Sequence, residues 1–505
     1  MNGIDKIIEH ISPSWAASRL KNRLTLRAYE AAKPSRLHKK HVDRSSGDKV
    51  VGLAGDNLRM QARFLDENHD LARGVLNTLV NNIIGTGIRI EALAKDKKGE
   101  SLTAFNNKLH QLFEDWMIRP EVTWELHWHQ LQRLAARSWL RDGEVLAQVL
   151  EGTNATLNHG TQIPFSLELI EADLLPMDFN DEKKNIIQGV QKNQWGRPIS
   201  YYLYKQHPGD MSSNLKFKQD IKQDTKLVPA ENILHLKSTD RIRQTRGVSI
   251  FASVLTRLDD IKGYEESERT AAKVAAAMCA FIRKSPDGPI TSTKFDATGD
   301  RLMSMRPGMI FDNLLPGEDI DMIESNRPNT MLEQFRNSQL RAVAAGTSCS
   351  FSSIAKDYNG TYSAQRQELV EQSVHYAVLR EHFVERFVRP IWQRFIRVSL
   401  LTDLIEIPKN LDMQTLLDAD FRGPTLPWID PLKEIHAEEK AVQAGFKSRS
   451  QVIRERGNNP ATVNEQIKRE RVQEESADLV FTTNIGKLNE IKASKEQSEN
   501  YDKNG

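Results

Sequence analysis

Cysteine is scarce in this chain of 505 residues, and its scarcity removes two classes of fold. The chain contains Cys279 and Cys349 alone, too few for a disulfide framework and too few for a zinc site of four thiolates. We interpret both as inert apolar side chains in a protein of a reducing compartment.

Long apolar runs are missing as well. The longest, residues 274–282, is much shorter than the ~18 residues that a membrane-spanning helix needs. The N-terminus also lacks a continuous apolar segment of secretory type. We therefore expect a soluble protein with no membrane partner. Residues 1–55, which begin with a basic and amphipathic stretch, are predicted to be an N-terminal surface arm.

An excess of one charge is the third absence. The chain has 70 basic and 68 acidic residues, a formal charge of +2. Proteins that grip nucleic acid tightly carry a strong basic excess, so DNA is expected at most as a loosely held partner. At roughly 100 to 200 residues per domain, the length allows three or four packed units.

Motifs for nucleotide or phosphate binding are not found. Gly85, Thr86 and Gly87 lack the third glycine of a dinucleotide fingerprint and follow a predicted helix instead of a strand. His127 and His129 stand two apart, which on a helix points them to different faces. We interpret them as part of a partly buried aromatic helix and predict no metal site and no cofactor.

A nucleophilic triad is not supported either. No histidine is placed beside the serines near Asp357, which are Ser348, Ser350, Ser352 and Ser353. The sequence therefore predicts no catalytic residue and a protein that is not an enzyme.

Hydrophobic periodicity indicates the fold class. From Asp56, apolar residues recur at three- and four-residue steps until Gly85 and Gly87, and two more helical stretches follow before residue 142. Short β-prone runs separated by turn residues then extend to residue 204. We predict an α+β fold that is predominantly helical.

Two long helices dominate the second half. A helical segment at 249–277 would be about 40 Å long at 1.5 Å per residue. A β-rich insertion at 278–328, a returning helix at 329–345 and a polar loop at 346–363 follow. The next helix, 364–405, is predicted to keep one apolar stripe that includes Val370, Val374, Ala377 and Phe383, with a kink at Pro390.

The first long helix carries the densest charge cluster, at Lys262, Glu265, Glu266, Arg269 and Lys273. Paired carboxylates can do acid–base or metal chemistry. However, Lys262 to Glu266 and Glu265 to Arg269 have the four-residue spacing typical of a solvated helix face. We predict a charged surface here.

Three compact helices are predicted within residues 406–475. Their start signals are Asp430 before Pro431, Ser448 with Gln451, and Thr462 with Glu465, while Gly445 and Gly457 close the first two. Residues 476–505 are predicted to be a disordered tail, apart from a helical patch at 480–491.

Several segments resemble the lambda-type portal family of tailed bacteriophages, in the family's order, over residues 44–475. They are VPAENILH (228–235), RQTRGVS (243–249), LDDI to AAK (258–273), PG with LPGE (307–308 and 315–318), YNGTYSAQR (358–366), and WIDPLKE with AGFKS (428–434 and 444–448).

The resemblance implies a portal architecture. Residues 56–248 would form the wing, 249–277 and 329–345 the two stem helices, 278–328 the clip, 346–363 the tunnel loop, 364–405 the long kinked helix and 406–475 the crown. The loop residues expected to face DNA are Lys356, Asp357, Tyr358, Asn359, Gly360, Thr361 and Tyr362.

The resemblance also implies a function. Members of the family form rings, usually dodecamers, at one capsid vertex of the virion, after assembly in the host cytoplasm. The ring is a channel for packaging and ejecting double-stranded DNA. It docks terminase, the head–tail connector, and the major capsid or scaffold protein. A near-neutral chain suits such a conduit, because each neutralised phosphate adds affinity and therefore friction.

Two other functions stay open at this stage. A metal-dependent nuclease or other phage enzyme would need an acidic or histidine-containing site that the sequence does not show. A helical scaffold would need sustained apolar heptads, whereas residues 249–277 turn alanine-rich after Tyr264.

Overall fold

The computed structural model of the chain describes residues 44–153, 157–210, 224–276, 280–284, 318–322, 331–424 and 431–476. The chain divides into two units, Met1–Val50 and Val51–Gly505. In the described part of the first unit, the Ser46 hydroxyl oxygen accepts a hydrogen bond from the Lys49 backbone N–H at the start of the first helix.

Helices make up most of the described residues. They are α1 (Gly47–Asn68), α2 (Asp70–Ile83), α3 (Thr103–Met117), α4 (Trp128–Asp142), α5 (Leu255–Ala276), α6 (Leu332–Thr347), α7 (Phe351–Ala355), α8 (Tyr362–Phe383), α9 (Arg389–Leu400), α10 (Pro431–Gln443), α11 (Arg449–Glu455) and α12 (Pro460–Ser476). In the described part of the chain, none of them is long and apolar enough to cross a membrane.

The strands form small sheets. They are β1 (Arg89–Ala92), β2 (Glu144–Glu151), β3 (Phe165–Ile170), β4 (Ile186–Ile187), β5 (Val190–Lys192), β6 (Pro198–Tyr204), β7 (Thr225–Pro229), β8 (Ile233–Lys237), β9 (Ala280–Lys284), β10 (Glu318–Met322) and β11 (Ala419–Arg422). The sheet orders are β3-β2-β8, β4-β5-β6-β7, β1-β11 and β10-β9, all antiparallel. The α+β, predominantly helical class is confirmed.

An aromatic cluster forms the centre of the core. Phe113 and Trp116 of α3 meet Trp128 of α4 and Trp392 and Phe395 of α9, with ring centroids 5.0 to 6.3 Å apart in the contacts that join the helices. The Trp116 indole N–H donates to the Phe165 carbonyl oxygen at 2.8 Å. Each such ring contributes about 1.5–3 kcal/mol by leaving water. The cluster therefore fixes α9 against the N-terminal helices.

The first long helix starts later than predicted. Helix α5 begins at Leu255, while residues 249–254 form turns in which the Phe251 carbonyl oxygen accepts from the N–H groups of Val254 and Leu255. Phe251 and Val254 are buried in the core. Packing of these two side chains is therefore favoured over one more regular turn of helix.

The predicted polar loop at 346–363 contains a helix. Ser350 caps α7 by accepting from the Ser353 N–H at 3.2 Å, and Ile354 on its inner side is buried. Thr361 caps α8 in the same way, so α8 begins two residues earlier than predicted. The exposed connection is thus reduced to residues 356–361.

A turn of π-helix, Val384–Val388, joins α8 to α9. Pro390, the predicted kink position, follows this turn directly and is the second residue of α9. Because proline lacks an N–H and its ring crowds the preceding turn, a departure from α-helical bonding is expected there.

The C-terminal helices begin partly as predicted. Ser448 accepts from the Gln451 N–H at 3.1 Å, and Gly445 and Gly457 have positive φ. The predicted start at Thr462 is wrong, because α12 begins at Pro460 after Asn459, whose side-chain oxygen accepts from the Ala461 N–H.

Several predictions fall outside the described residues. They concern the first 43 residues of the arm, Cys279, Asp430, the tail from 477 with its patch at 480–491, and most of the insertion at 278–328. Within that insertion the backbones of β9 and β10 pair antiparallel, with Ala280 opposite Met322.

Candidate functional site

A buried ion cluster lies where the chain enters α5. Glu144, the first residue of β2, accepts from Arg246 Nε at 2.7 Å and from the Gly247 N–H at 2.8 Å. His235 Nε2 of β8 lies 3.0 Å from Glu144 Oε2, the oxygen that also accepts from Gly247. The fully buried Arg246 also donates to the carbonyl oxygens of Ala172 and Leu175, both at 2.8 Å. The segment before α5 is thereby tied to the wing-like α+β body.

Charge balance decides the protonation of this cluster. Burial raises the pKa of Glu144, but the Arg246 guanidinium and the His235 hydrogen bond outweigh it, so the pKa lies well below its usual range. Burial lowers the pKa of His235 more than Glu144 raises it. The imidazole is therefore neutral, with Nε2–H donating to Glu144 and Nδ1 facing the Tyr201 hydroxyl at 3.4 Å.

Two glycines allow the close approach that this cluster requires. A Cβ at Gly247 would lie 2.0 Å from the Gly143 carbonyl oxygen, and one at Gly143 would lie 2.4 Å from the Val248 carbonyl carbon. Gly143 also has a φ of 88°. The close approach of the two backbones therefore explains why a glycine follows Arg246 in the segment 243–249. The sequence alone did not show this.

A second buried cluster joins α1 to α4. Asp142 is held by Arg63 at 2.8 and 3.0 Å and by Arg141 at 2.8 and 3.0 Å, and Asp66 by Arg137. Burial raises the pKa of Asp142, but hydrogen bonds from the two guanidinium groups lower it below its usual range. Paired in this way, these charges hold the two helices in one position.

The charged face of α5 is organised differently from the prediction. Glu265 pairs with Arg336 of α6 at 2.6 Å, and Lys262 donates to the Asn68 carbonyl oxygen at 3.2 Å. Glu266, Arg269 and Lys273 are exposed. The Tyr264 and Phe335 rings lie 4.9 Å apart. Together with the Arg257–Gln339 hydrogen bond, these contacts make α5 and α6 an antiparallel pair.

The predicted loop residues follow one another from the end of α7 to the first residue of α8. Lys356 has a φ of 55° at the end of α7, and the Asp357 carboxylate accepts from the Asn359 N–H at 3.1 Å. Lys356, Tyr358, Asn359, Gly360, Thr361 and Tyr362 are exposed, and Asp357 is half-buried. The arrangement presents one cation and two aromatic rings to solvent.

The apolar stripe predicted for α8 is wrong for its first half. Tyr376 and Phe383 are buried against the core, but Val370, Val374 and Val378 lie on another side of the helix and are exposed. At 100° per residue these valines cannot share a face with Tyr376. Helix α8 therefore has a second apolar face that the described residues of the chain leave exposed.

His127 is not on a helix, contrary to the prediction. It is the N-cap of α4, where its Nδ1 accepts from the His129 N–H at 3.2 Å. The rings of His127 and His129 lie 5.0 Å apart. Burial lowers the pKa of His129. The pair thus has a capping role.

In the described part of the chain, the serines near Asp357 do not form a nucleophilic triad. Ser350 is a helix cap, and the Ser352 hydroxyl donates to Glu368 at 2.6 Å. Both serines therefore hold local structure.

One possible metal cluster was missed in the sequence. Among the described residues, Glu171, Asp173 and His207 are the group close enough to share an ion. The Arg63 guanidinium already lies 2.5 Å from Asp173 and 3.9 Å from Glu171, so a cation occupies this position.

A cleft of about 490 Å3 was also missed, between α8, β11 and the C-terminal helices. Arg380, Arg422, Arg454 and Arg456 line it together with Glu438 and Glu455. Arg380 donates to the carbonyl oxygens of Asn82 and Ile83 at the end of α2. Its charge therefore compensates the negative end of that helix.

Comparison with known proteins gives one family. The family model described as phage portal protein, lambda family, matches residues 33–380. The chain is 25% identical over 473 residues to a probable portal protein of Halomonas phage phiHAP-1, covering 90% of this chain and 88% of that protein.

A more distant relative and one solved structure were also compared with the chain. The chain is 21% identical over 334 residues to portal protein B of Escherichia phage lambda, covering 59% of this chain and 60% of that one. The neck of a native GTA particle superposes with a TM-score of 0.43 at 12% identity, covering 81% of this chain and 94% of that one.

Proposed function

Because this chain belongs to the lambda family of phage portal proteins, whose model matches residues 33–380, we propose that its copies form a ring that conducts double-stranded DNA. The ring is a dodecamer at one vertex of the phage head and serves both packaging and ejection. Portal proteins are structural components of the phage particle, so the chain is not an enzyme. The family match over most of the chain carries the proposal.

The α5–α6 pair supports the ring. Glu265 and Arg336 neutralise each other within one chain, whereas Glu266, Arg269 and Lys273 remain exposed on α5. In a ring, such antiparallel pairs stand side by side as the stem, and exposed charges of both signs can pair between neighbours. The buried Arg246–Glu144 cluster gives each stem a rigid base.

The channel must hold DNA loosely. A protein that neutralises several phosphates gains affinity steeply at low salt, which opposes sliding. The formal charge of +2 and the single exposed lysine of residues 356–362 supply weak attraction without a base-reading surface. We assign DNA contact to Lys356, Tyr358 and Tyr362.

The remaining regions take the family's roles in this proposal. Residues 278–328 form the clip that docks terminase and the head–tail connector. Residues 56–248 form the wing facing the major capsid or scaffold protein, and 406–475 the crown inside the head. Assembly takes place in the host cytoplasm, and the finished ring resides in the virion.

Negative-stain electron microscopy and mass measurement of the purified chain test the ring. We expect class averages with a central hole and twelvefold symmetry, and a mass that is a matching multiple of 57.5 kDa. Monomers in every buffer tried, at concentrations well above those of virion assembly, would contradict the proposal.

The channel assignment is tested by Lys356→Gln. Removing this cation should change DNA retention in filled particles several-fold while rings still form, because Lys356 is exposed. Lys356→Arg keeps the charge and should behave as the parent. Lys183→Gln, at an exposed site of the body, is the matched control. Loss of rings in Lys356→Gln would show that the loop serves assembly instead.

A further inference from the structure

The valine face of α8 is not covered by any of the described residues of its chain. Val370, Val374 and Val378 are 52, 63 and 62% exposed, and their four-residue spacing aligns them along one side of the helix. β-branched side chains at this spacing form a short, stiff ridge. Three neighbouring apolar side chains so exposed are typical of an interaction surface.

Helix α1 carries a second face of this kind. Leu53, Met60 and Phe64 are 81, 61 and 54% exposed, although Lys262 Nζ lies 5.5 Å from the Phe64 ring centroid. Their spacings of seven and four residues place them on one stripe. The opposite side of α1 packs into the core through Ala62 and Leu65.

The two faces complement each other in shape. From Val370 to Val378 the ridge rises about 12 Å, and from Leu53 to Phe64 the α1 stripe rises about 16 Å, at 1.5 Å per residue. Leu53, Met60 and Phe64 are long side chains with gaps between them, whereas valines are short. A short ridge seated between longer side chains is the ordinary packing of two helices.

The charges beside the two faces also match. Exposed Glu67 lies one turn after Phe64 on α1, and Asp56, one turn before Met60, is already paired with Arg59. On α8, exposed Arg366 lies one turn before Val370 and exposed Glu381 one turn after Val378. An antiparallel arrangement, which brings Arg366 to Glu67 and Glu381 to the neutralised Asp56, is therefore favoured over the parallel one.

A closed ring of identical subunits requires two different faces on each subunit, one meeting the other of its neighbour. We propose that the valine face of α8 in one copy packs against the Leu53–Met60–Phe64 stripe of α1 in the next copy. This inference rests on the proposed ring and identifies one of its contacts.

Cysteine cross-linking tests the contact. In a Cys279→Ala background, which keeps the buried Cys349, one preparation carries Met60→Cys and another Val374→Cys. After co-assembly, mild oxidation should join the two variants into a covalent dimer. The chain with both substitutions should give a ladder of cross-linked species that closes at the ring. Met60→Cys with Leu401→Cys, which is also highly exposed, should give no ladder.

The outcomes separate this inference from the ring itself. Rings that form normally but give no Met60–Val374 cross-link, or that cross-link Val374 to Val374, would overturn the contact and leave the ring standing. Absence of rings in the parent chain would overturn both.

A charged substitution gives an independent measurement. Val374→Asp should abolish rings or weaken assembly at least tenfold in concentration, while its circular dichroism matches that of the parent. Val472→Asp, at a site of similar exposure on α12, should assemble normally. Normal assembly of Val374→Asp would overturn the contact.

Discussion

Arg246 shows how a single side chain connects three segments of the body. It bonds Glu144 at the start of β2 and two carbonyl oxygens after β3, and it stands beside Gly247 in the approach to α5. A buried charge is tolerated because the guanidinium donates to a carboxylate and to two carbonyl oxygens. Sequence inspection placed this arginine in a family motif without finding Glu144, which is 102 positions away.

Replacing Arg246 by Met should therefore destabilise the chain strongly. The substitution removes the guanidinium that is hydrogen-bonded to the buried Glu144 carboxylate and leaves Arg59, 3.7 Å away, as the nearby cation. Breaking a buried pair costs about 3–5 kcal/mol, and the Arg59 contact reduces that loss. Urea denaturation followed by circular dichroism measures the effect.

The control is Arg469→Ala, which removes one member of an exposed pair with Glu465. Exposed pairs of this kind contribute little, so the midpoint should not move. Equal stability of Arg246→Met and the parent would contradict the role of the cluster.

Cys349 is expected to be chemically silent. Burial raises the pKa of its thiol to about 12, so the reactive thiolate is scarce at neutral pH. In the Cys279→Ala chain, a thiol reagent at about pH 8 should react with Cys349 only after denaturant is added. Rapid reaction of the native chain would show that Cys349 is accessible.

Among the elements, α5 shows that local residue spacing can predict the presence of a helix but not the residue at which it begins. The apolar and charged spacing predicted a long helix here, and one is present. Its first six predicted residues are turns because Phe251 and Val254 pack into a core built from distant segments. The exposure of the α8 valines was not predicted, because apolar periodicity does not show which face of a helix packs against another element.

Two glycines near and within α5 should respond oppositely to alanine. Gly263→Ala adds a methyl group in open space on an exposed helical position, so it should stabilise the chain by about 0.5–1 kcal/mol. Gly247→Ala should destabilise it, because the new Cβ would collide with the Gly143 carbonyl.

Thermal unfolding of the two variants beside the parent measures both effects. A Gly247→Ala chain as stable as the parent would contradict the close approach of the two backbones. Each variant is a control for the other, because both replace a glycine by an alanine.

At the scale of the whole molecule, one buried and three half-buried histidines contribute to the pH dependence of stability. Burial lowers the pKa of His129, His235, His375 and His382 below the usual 6.5. Below about pH 6.5 the unfolded chain therefore binds protons that the folded chain does not. The stability that the neutral imidazoles contribute is complete above that pH and is lost as the pH falls.

The denaturation midpoint should accordingly be flat from about pH 8 to about pH 7 and decline towards about pH 5. His235→Gln, which keeps a donor for Glu144 but cannot take the proton, should lose less over that interval. A midpoint that rises on acidification would contradict the burial of these neutral imidazoles.

The amino-acid sequence by itself determined the fold class, the approximate position of most helices, the family and the lack of catalytic motifs. These follow from composition, from local periodicity and from short segments such as 243–249, which can be read without knowing what lies far away along the chain. The ends of helices with local caps, such as Ser448 with Gln451, were predictable for the same reason.

Only the tertiary structure decided which charges and faces meet. The pairing of β8 with β2, of β11 with β1, and of Glu144 with Arg246 joins positions separated by tens to hundreds of residues. Whether Val374 is core or surface depends on what packs against α8. That is a property of the folded chain and, in the proposed ring, of the neighbouring copy.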